Sequence, residues 1–254
     1  MKVIIIGAGR GSRLRPLTDD RPKCMLPVDG RPILQWILDA FGHYGLNDVV
    51  FVGGYRMASV QEYAPNLHFV LNDQWPHNNI LASLFYAEEF MDEGFFCSYA
   101  DTIITPALLA PFFDETSDIT LSLDTSSNER YSQRPPQAHA PIEGTYIDGA
   151  RVTQIDRVIG TSDAYGEFTG VTRFSAAGAQ IFRDTYHNAK ESYAGKPFQL
   201  SPSFETCYLI DMYREMLDAD VPIGHAASRY SYLEIDTPED YEIAQREWVH
   251  QLQK

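Results

Sequence analysis

The first half of the chain alternates short apolar runs with stretches whose apolar residues recur at helical spacing. Val3–Ile6 is an uninterrupted apolar run, and Ile33, Ile37 and Phe41 recur one helical turn apart after Pro32. Further strands are predicted at residues 48–55, 67–72, 94–101 and 118–125, and a helix at residues 79–94. Alternation of this kind predicts an α/β fold with a mostly parallel sheet covered by helices on both faces.

The second half has a less regular pattern. Residues 126–146 are polar and rich in proline, which predicts a long loop of the kind that is usually functional or mobile. Strands are predicted at residues 151–158, 170–175 and 228–236, and helices at residues 176–190 and 203–218. A terminal helix is predicted at residues 237–253, with Thr237 as its cap and Pro238 at its first position.

Composition excludes several classes of protein. A net charge of -15 argues against a nucleic-acid binder, because such proteins neutralise phosphates with a basic surface. No apolar segment approaches the ~20 residues of a membrane span. The three cysteines form no CxxC pair, which indicates free thiols in a reducing compartment and hence a cytoplasmic protein.

A glycine-rich loop follows the first predicted strand. It does not fit the dinucleotide fingerprint, because Ser12 stands where the third glycine is required. It does not fit the P-loop either, since no lysine follows any of its glycines. Exposed backbone amides followed by Arg13 and Lys23 nevertheless suit a triphosphate, whereas a plain glycine turn with solvated arginines is the structural alternative.

The full pattern around this loop resembles the signature of the sugar-phosphate nucleotidyltransferase family. The matching residues are Gly7, Gly9, Arg13, Leu14, Pro16, Leu17, Thr18, Pro22, Lys23, Met25, Leu26 and Pro27.

The resemblance implies the nucleotide-diphospho-sugar transferase fold, with a Rossmann-like three-layer mixed sheet. It also implies a reaction in which a phosphorylated acceptor attacks the α-phosphorus of a nucleoside triphosphate and pyrophosphate leaves. Carried over, Arg13 contacts the β- and γ-phosphates, and Lys23 lies near the α-phosphate. One domain over residues 1–254 is expected, with the nucleotide bound by residues 1–125 and the acceptor by residues 126–254.

Such chemistry needs Mg²⁺, which proteins usually hold with one or two carboxylates. The family's metal carboxylates lie at strand ends, and Asp101 and Asp236 match those places. Many relatives carry two acids at the first place, where this chain has Asp101 alone. Glu234 shares a strand face with Asp236, and a supporting role and a solvated surface position are equally open for it.

The resemblance places the nucleotide against the glycine loop and the segments around residues 53–55 and 78–87. Gly7, Ala8, Gly9 and Gly11 are expected to contact the nucleotide, and Gly54, Asn79 and Ser83 the base or ribose. The segment at 78–87 resembles phosphocholine cytidylyltransferase-like members, which favours CTP. The alternative is that Asn78 or Asn79 caps the helix.

The acceptor is expected to contact the later strands. Arg157 aligns with a cation for the acceptor's phosphate, and Glu167 with an acid for a hydroxyl or amine, although an Arg–Glu surface pair is an equal alternative. The sequences of the segments around residues 166–170 and 233–242 resemble those of enzymes that act on phosphocholine, phosphonates and phosphorylated amides.

The leading hypothesis is therefore an Mg²⁺-dependent cytidylyltransferase that acts on a small phosphorylated acceptor. The alternatives are a sugar-1-phosphate nucleotidyltransferase using UTP, GTP or dTTP, and a non-catalytic nucleotide-binding regulatory subunit. A nicotinamide-dependent oxidoreductase lacks its third glycine here. The acceptor, the base, the oligomeric state and the role of residues 126–146 stay open, with a homo-oligomer as one possibility, and no nucleic-acid or membrane partner is expected.

Overall fold

The computed structural model describes residues 1–132, 141–159 and 163–248. Its strands are β1 (Lys2–Gly7), β2 (Pro27–Val28), β3 (Arg31–Pro32), β4 (Val49–Gly53), β5 (His68–Leu71), β6 (Phe95–Tyr99), β7 (Thr102–Ile104), β8 (Ile119–Asp124), β9 (Pro141–Asp148), β10 (Arg151–Ile159), β11 (Gly166–Phe174), β12 (Gly224–Ser228) and β13 (Tyr232–Glu234). Its helices are α1 (Ile33–His43), α2 (Met57–Tyr63), α3 (Ile80–Phe85), α4 (Pro106–Leu109), α5 (Ser127–Ser132), α6 (Ala176–Tyr193), α7 (Leu209–Asp218) and α8 (Pro238–Ile243).

Nine strands within these ranges form one sheet in the order β5-β4-β1-β6-β11-β8-β12-β10-β9. The pairs among β5, β4, β1 and β6 are parallel, as is the pair β12–β8. β11 runs antiparallel to both β6 and β8, and β9 and β10 form an antiparallel hairpin. The predicted α/β fold is therefore present, and its parallel part is concentrated where strand and helix patterns alternate in the sequence.

The sheet has a hydrophobic cluster on each face. Along β1, Ile4 and Ile6 pack into the cluster that contains α3, α6 and α7, whereas Val3 and Ile5 pack into the cluster that contains α1. Successive side chains of a strand point to opposite faces. A strand buried on both sides is therefore continuously apolar, as the sequence of β1 is.

A small second sheet brings distant acidic residues together. β13 pairs antiparallel with β7, and Glu234 lies opposite Thr102. Asp101 directly precedes β7, and its backbone oxygen accepts a hydrogen bond of 3.1 Å from Ile235 N. The register of this short pair therefore places Asp101 beside the chain segment that carries Glu234 and Asp236.

Several predicted elements have different bounds in the structure. The helix predicted at 79–94 ends at Phe85 and is followed by a 3-10 turn at Glu88–Phe90, because the chain must reverse before β6. The strand predicted at 228–236 is divided between β12 and β13, and Tyr230 between them has a φ of 54°, in the left-handed region.

The prediction of one long loop over residues 126–146 was wrong. α5 occupies its beginning and β9 its end, while residues 133–140 lie outside the described residues. β9 pairs with both β10 and β11. Its sequence lacks a continuous apolar run, so hydrophobic periodicity gave no signal for it.

The terminal helix begins as predicted but is described over a shorter range. Thr237 caps α8 with Pro238 at its start, and a π-helical turn at Ala244–Trp248 follows, while residues 249–254 lie outside the description. Among the residues described, no helix is both long and apolar enough to cross a membrane.

We expect Thr237→Ala to lower the free energy of unfolding by about 1 kcal/mol. Thr237 Oγ1 accepts from Asp240 N at 3.2 Å, and Asp240 Oδ2 accepts from Thr237 N at 2.9 Å and from Asp236 N at 3.0 Å. Urea denaturation measures the change, with the exposed Thr116→Ala as control. Equal losses in the two variants would contradict a capping role.

Candidate active site

The glycine-rich loop after β1 lines a cavity of ≈ 340 Å³. Gly7, Ala8, Gly9 and Gly11, the loop residues that were predicted to contact the nucleotide, all line this cavity. Gly11 has a φ of +69°, a conformation that side chains rarely adopt, and a Cβ there would lie 3.0 Å from the Cβ of Lys23. The glycine therefore lets the loop turn back closely over the lysine.

The arginines of this region separate into two groups. Arg10 and Arg15 both pair with Asp19, at 2.9 and 2.8 Å. Arg13 instead lines the cavity and pairs with Asp236 at 2.9 Å. Of these three arginines, the one that the sequence pattern singled out is the one directed at the site.

Lys23 is the centre of the cavity's charged groups. Its side chain is 10% exposed, and Nζ donates to Asp101 Oδ2 at 2.8 Å and to Asp236 Oδ1 at 2.5 Å. The lysine that was predicted to lie near the α-phosphate therefore also joins the two carboxylates that were predicted to hold metal.

Three carboxylates form a compact group around this lysine. One oxygen from each of Asp101, Glu234 and Asp236 lies within 4.8 Å of the others. Asp101 Oδ1 is buried and, in the part of the chain that the structure describes, has no hydrogen-bond partner. Glu234 thus lies with the two predicted metal acids, and its side chain is part of the cavity wall.

Burial and neighbouring charges shift the pKa values in this group in different directions. Burial alone would lower the pKa of Lys23, but Asp101 and Asp236 offset this and raise it. Burial would raise the pKa of Asp236, but Lys23 and Arg13 lower it below its usual value. Burial, Asp236 and Asp101 raise the pKa of Glu234 well above its usual value. The ion pairs therefore join Lys23 to Asp101 and Asp236, and Arg13 to Asp236, while the pKa of Glu234 is raised by burial and by these neighbouring carboxylates.

The predicted base-binding side chains lie at the start of α3. Asn79 and Ser83 both line the cavity, together with Trp75 and Asn78, which the sequence analysis did not predict as contacts of the base or ribose. Asn79 Oδ1 caps α3 by accepting from Ile80 N at 2.9 Å. Asn79 therefore has the helix-cap role that was its alternative, at a position where it also lies on the cavity wall.

Gly54 packs against the glycine loop and Trp75. It is not among the residues lining the cavity, and a Cβ there would lie 2.7 Å from the Trp75 ring and 2.8 Å from Ala8 O. Gly54 therefore allows Trp75 and the glycine loop to approach each other closely. Its predicted contact with the base or ribose stays a prediction.

The other end of the cavity contains the predicted acceptor residues. The guanidinium of Arg157 lies 4.3 Å from the ring centroid of Tyr208, and Glu167 is 1% exposed on β11. Glu143 on β9 lies directly opposite Arg157 on β10 and receives a 3.4 Å hydrogen bond from Tyr99 Oη. All five side chains belong to the cavity wall.

Glu143 was missed because it lies in the segment that was predicted to be a loop. Burial raises the pKa of Glu143 to about 8, with Arg157 acting in the opposite direction and Glu167 adding to the rise. This end of the cavity therefore combines Arg157 with two acids, the partly buried Glu143 and the buried Glu167.

The cavity thus joins a glycine loop and the two cations Arg13 and Lys23 with an acidic group at the carboxyl ends of strands, which is the arrangement expected of a nucleotidyltransferase. Residues 3–132, about half of the chain, match the family model of the MobA-like NTP transferase domain, and the chain belongs to this family. The predicted class of protein is confirmed.

Two curated relatives match over most of their length. The chain is 25% identical over 185 residues to a CTP:phosphoglutamine cytidylyltransferase of Campylobacter jejuni, covering 69% of this chain and 73% of that protein. It is 27% identical over 195 residues to a 2-aminoethylphosphonate cytidylyltransferase of Lancefieldella rimae, covering 73% and 72%.

A solved structure has the same fold. The CTP:phosphocholine cytidylyltransferase of Streptococcus pneumoniae superposes with a TM-score of 0.69 at 20% identity, covering 100% of this chain and 99% of that one. The predicted fold is therefore confirmed.

We expect Glu143→Gln to reduce the pH dependence of stability between about pH 4.5 and pH 8. With a pKa raised to about 8, folded Glu143 retains a proton that the unfolded chain has already lost over this interval. Stability then falls as the pH rises, and the glutamine removes this contribution. Urea denaturation across the interval measures the slope, with the exposed Glu62→Gln as a control for the charge change. An unchanged slope in Glu143→Gln would contradict the expectation.

Proposed function

We propose that this protein transfers a cytidylyl group from CTP to a small phosphorylated or phosphonylated acceptor and releases pyrophosphate. The observation that carries the proposal is the contact of Lys23 with Asp101 and Asp236, beside the glycine loop and within one cavity. The names of the two curated relatives support CTP as the donor and a small acceptor as its partner.

The reaction requires little covalent participation by the protein. An oxygen of the acceptor's phosphate or phosphonate forms a bond to the α-phosphorus, and the bond from that phosphorus to the bridging oxygen of the β-phosphate breaks. Pyrophosphate leaves with the electron pair. Arg13 and Lys23 stabilise the negative charge on the phosphates, and fixed cations of this kind need little reorganisation during the reaction.

We propose Asp101, Glu234 and Asp236 as the residues that hold Mg²⁺. Their oxygen ligands suit this hard cation, and the buried, unpartnered Asp101 Oδ1 faces no competing donor among the residues described. Bound there, the ion would neutralise charge on the triphosphate. Lys23 contacts Asp101 and Asp236, and Arg13 contacts Asp236, so these cations and the metal compete for the same carboxylates.

At the acceptor end we assign Arg157 to the acceptor's phosphate or phosphonate and Glu143 and Glu167 to the remainder of that molecule. The guanidinium of Arg157 lies over the Tyr208 ring, so the ring orients the planar set of N–H donors. Two acids beside one arginine favour an acceptor with amine, amide or hydroxyl donors. We also propose a cytoplasmic location, supported by three buried cysteines that are unpaired.

The test is pyrophosphate release with Mg²⁺, in which CTP, UTP, GTP, ATP and dTTP are each combined with an acceptor panel. The panel contains phosphocholine, 2-aminoethylphosphonate, phosphorylated amides and sugar-1-phosphates. We expect release with CTP and a small acceptor. Lys23→Ala and Asp101→Asn should each lower kcat by about 100- to 1000-fold.

Arg21→Ala is the matched control, because Arg21 pairs with Asp20 and does not line the cavity. It should retain activity within a few-fold. Pyrophosphate release with sugar-1-phosphates alone would contradict the proposed acceptor class and identify the acceptor as a sugar-1-phosphate. Nucleotide binding without release for any pair would support a regulatory subunit instead.

We expect Lys23→Ala to bind Mn²⁺ more tightly than the wild-type protein when no nucleotide is present. The substitution removes a positive charge within 2.8 Å of two metal-binding carboxylates, and a gain of about tenfold or more is expected. Electron paramagnetic resonance of free Mn²⁺ measures the affinity, and Arg21→Ala should leave it unchanged. Equal affinity in Lys23→Ala and the wild type would contradict the competition.

A further inference from the structure

Asn72 is a fully buried amide that follows β5 and has every hydrogen-bonding position filled. Its Nδ2 donates to Asn78 Oδ1 and to Ser83 Oγ, each at 2.9 Å. Its Oδ1 accepts from Gln74 N at 3.0 Å and from Asn78 Nδ2 at 3.2 Å. An asparagine side chain has two N–H groups and two principal lone pairs, so all four are used here.

Two backbone groups determine which way this amide faces. Gln74 N can only donate, so the atom of Asn72 next to it must be the oxygen. Ser83 Oγ donates its single proton to Asn79 O at 3.0 Å, so it must accept from Asn72, and the atom of Asn72 next to it must be the nitrogen. The orientation of the Asn72 amide therefore follows from the donors and acceptors around it.

Asn72 in turn fixes the amide of Asn78. The two side chains exchange a reciprocal pair of hydrogen bonds, and turning the Asn78 amide over would place oxygen against oxygen and nitrogen against nitrogen. Asn78 lines the cavity beside Trp75 and the glycine loop. Within the described chain, its hydrogen bonds to Asn72 leave one N–H and one lone pair of Asn78 for a ligand.

A fixed amide distinguishes the two pyrimidines. Cytosine has a donating amino group at position 4 and an acceptor at N3, whereas uracil has an accepting carbonyl at position 4 and a donor at N3. An amide that is free to turn over can satisfy either base. An amide of fixed polarity satisfies one base and opposes the other.

We propose that Asn78 binds the pyrimidine base and that Asn72, by fixing the polarity of the Asn78 amide, is the positioning residue that makes Asn78 discriminate between cytosine and uracil. This inference rests on the proposed function. Asn79 and Ser83 are less suited to the role, because Asn79 caps α3 and donates to Thr206 O at 3.1 Å, and the only hydroxyl proton of Ser83 is used within the protein.

Calorimetric titration of the full chain with CTP and with UTP, in Mg²⁺ and without acceptor, tests the proposal. The wild type should bind CTP more tightly than UTP. Asn78→Ala should weaken CTP binding by about tenfold, as expected for one hydrogen bond, and bring the ratio of the two affinities close to 1. The exposed Asn66→Ala is the control and should retain the wild-type ratio.

Asn72→Ala should lower the CTP-to-UTP ratio as Asn78→Ala does, and adding it to Asn78→Ala should change the ratio no further. A merely structural role would weaken both nucleotides equally and leave the ratio unchanged. If Asn72→Ala does not fold, Asn78→Ala alone still decides, because a wild-type ratio in that variant overturns the proposal.

The results also separate this inference from the proposed function. If the wild type binds neither nucleotide, both fail. If it binds the two nucleotides equally, or prefers CTP and retains that preference in Asn78→Ala, the inference fails while cytidylyl transfer can still be observed in the pyrophosphate assay.

Discussion

The site depends on one ammonium group held between two carboxylates that are far apart in the sequence. Lys23 is separated from Asp101 by 78 positions and from Asp236 by 213, and the three meet in a nearly buried space. Removing one member of such a group leaves a largely buried charge with fewer partners, which is costly. The glycine loop, the small β7–β13 sheet and the cap of α8 must therefore all be in place together.

This arrangement explains why the loop is built as it is. Gly11 permits a left-handed turn, and Thr18 Oγ1 donates to Gly11 O at 2.9 Å, which closes the loop upon itself. Arg10 and Arg15 are held by Asp19, so they do not compete with Arg13 for Asp236. The positive charges of a short segment are thus sorted by local geometry into those that support the loop and those that face the cavity.

The first half of the fold and the cation–acid centre were predictable from the sequence, because continuous apolar strands and a specific loop pattern are local signals. Asp101 and Asp236 could be selected because each ends a predicted strand at a place that matches the metal carboxylates of the family that the sequence resembles. The acceptor wall was harder to predict. Glu143 lies on a strand whose sequence lacks a continuous apolar run, so the segment resembles a loop, and only its pairing with β10 and β11 shows its place. The proposed role of Asn72 could not be predicted from the sequence, because it depends on hydrogen bonds that involve the backbone groups of Gln74 and Asn79.

The two sheets divide the site into parts with separate structural support. The small β7–β13 sheet sets the positions of Asp101 and Glu234, while the β9–β10 hairpin at the edge of the large sheet carries Glu143 and Arg157. Side chains on that hairpin can change in size and charge without altering the spacing of the acids. A duplicated copy of such a gene can therefore diverge toward a new acceptor by drift at the sheet edge, while purifying selection acts on the catalytic centre.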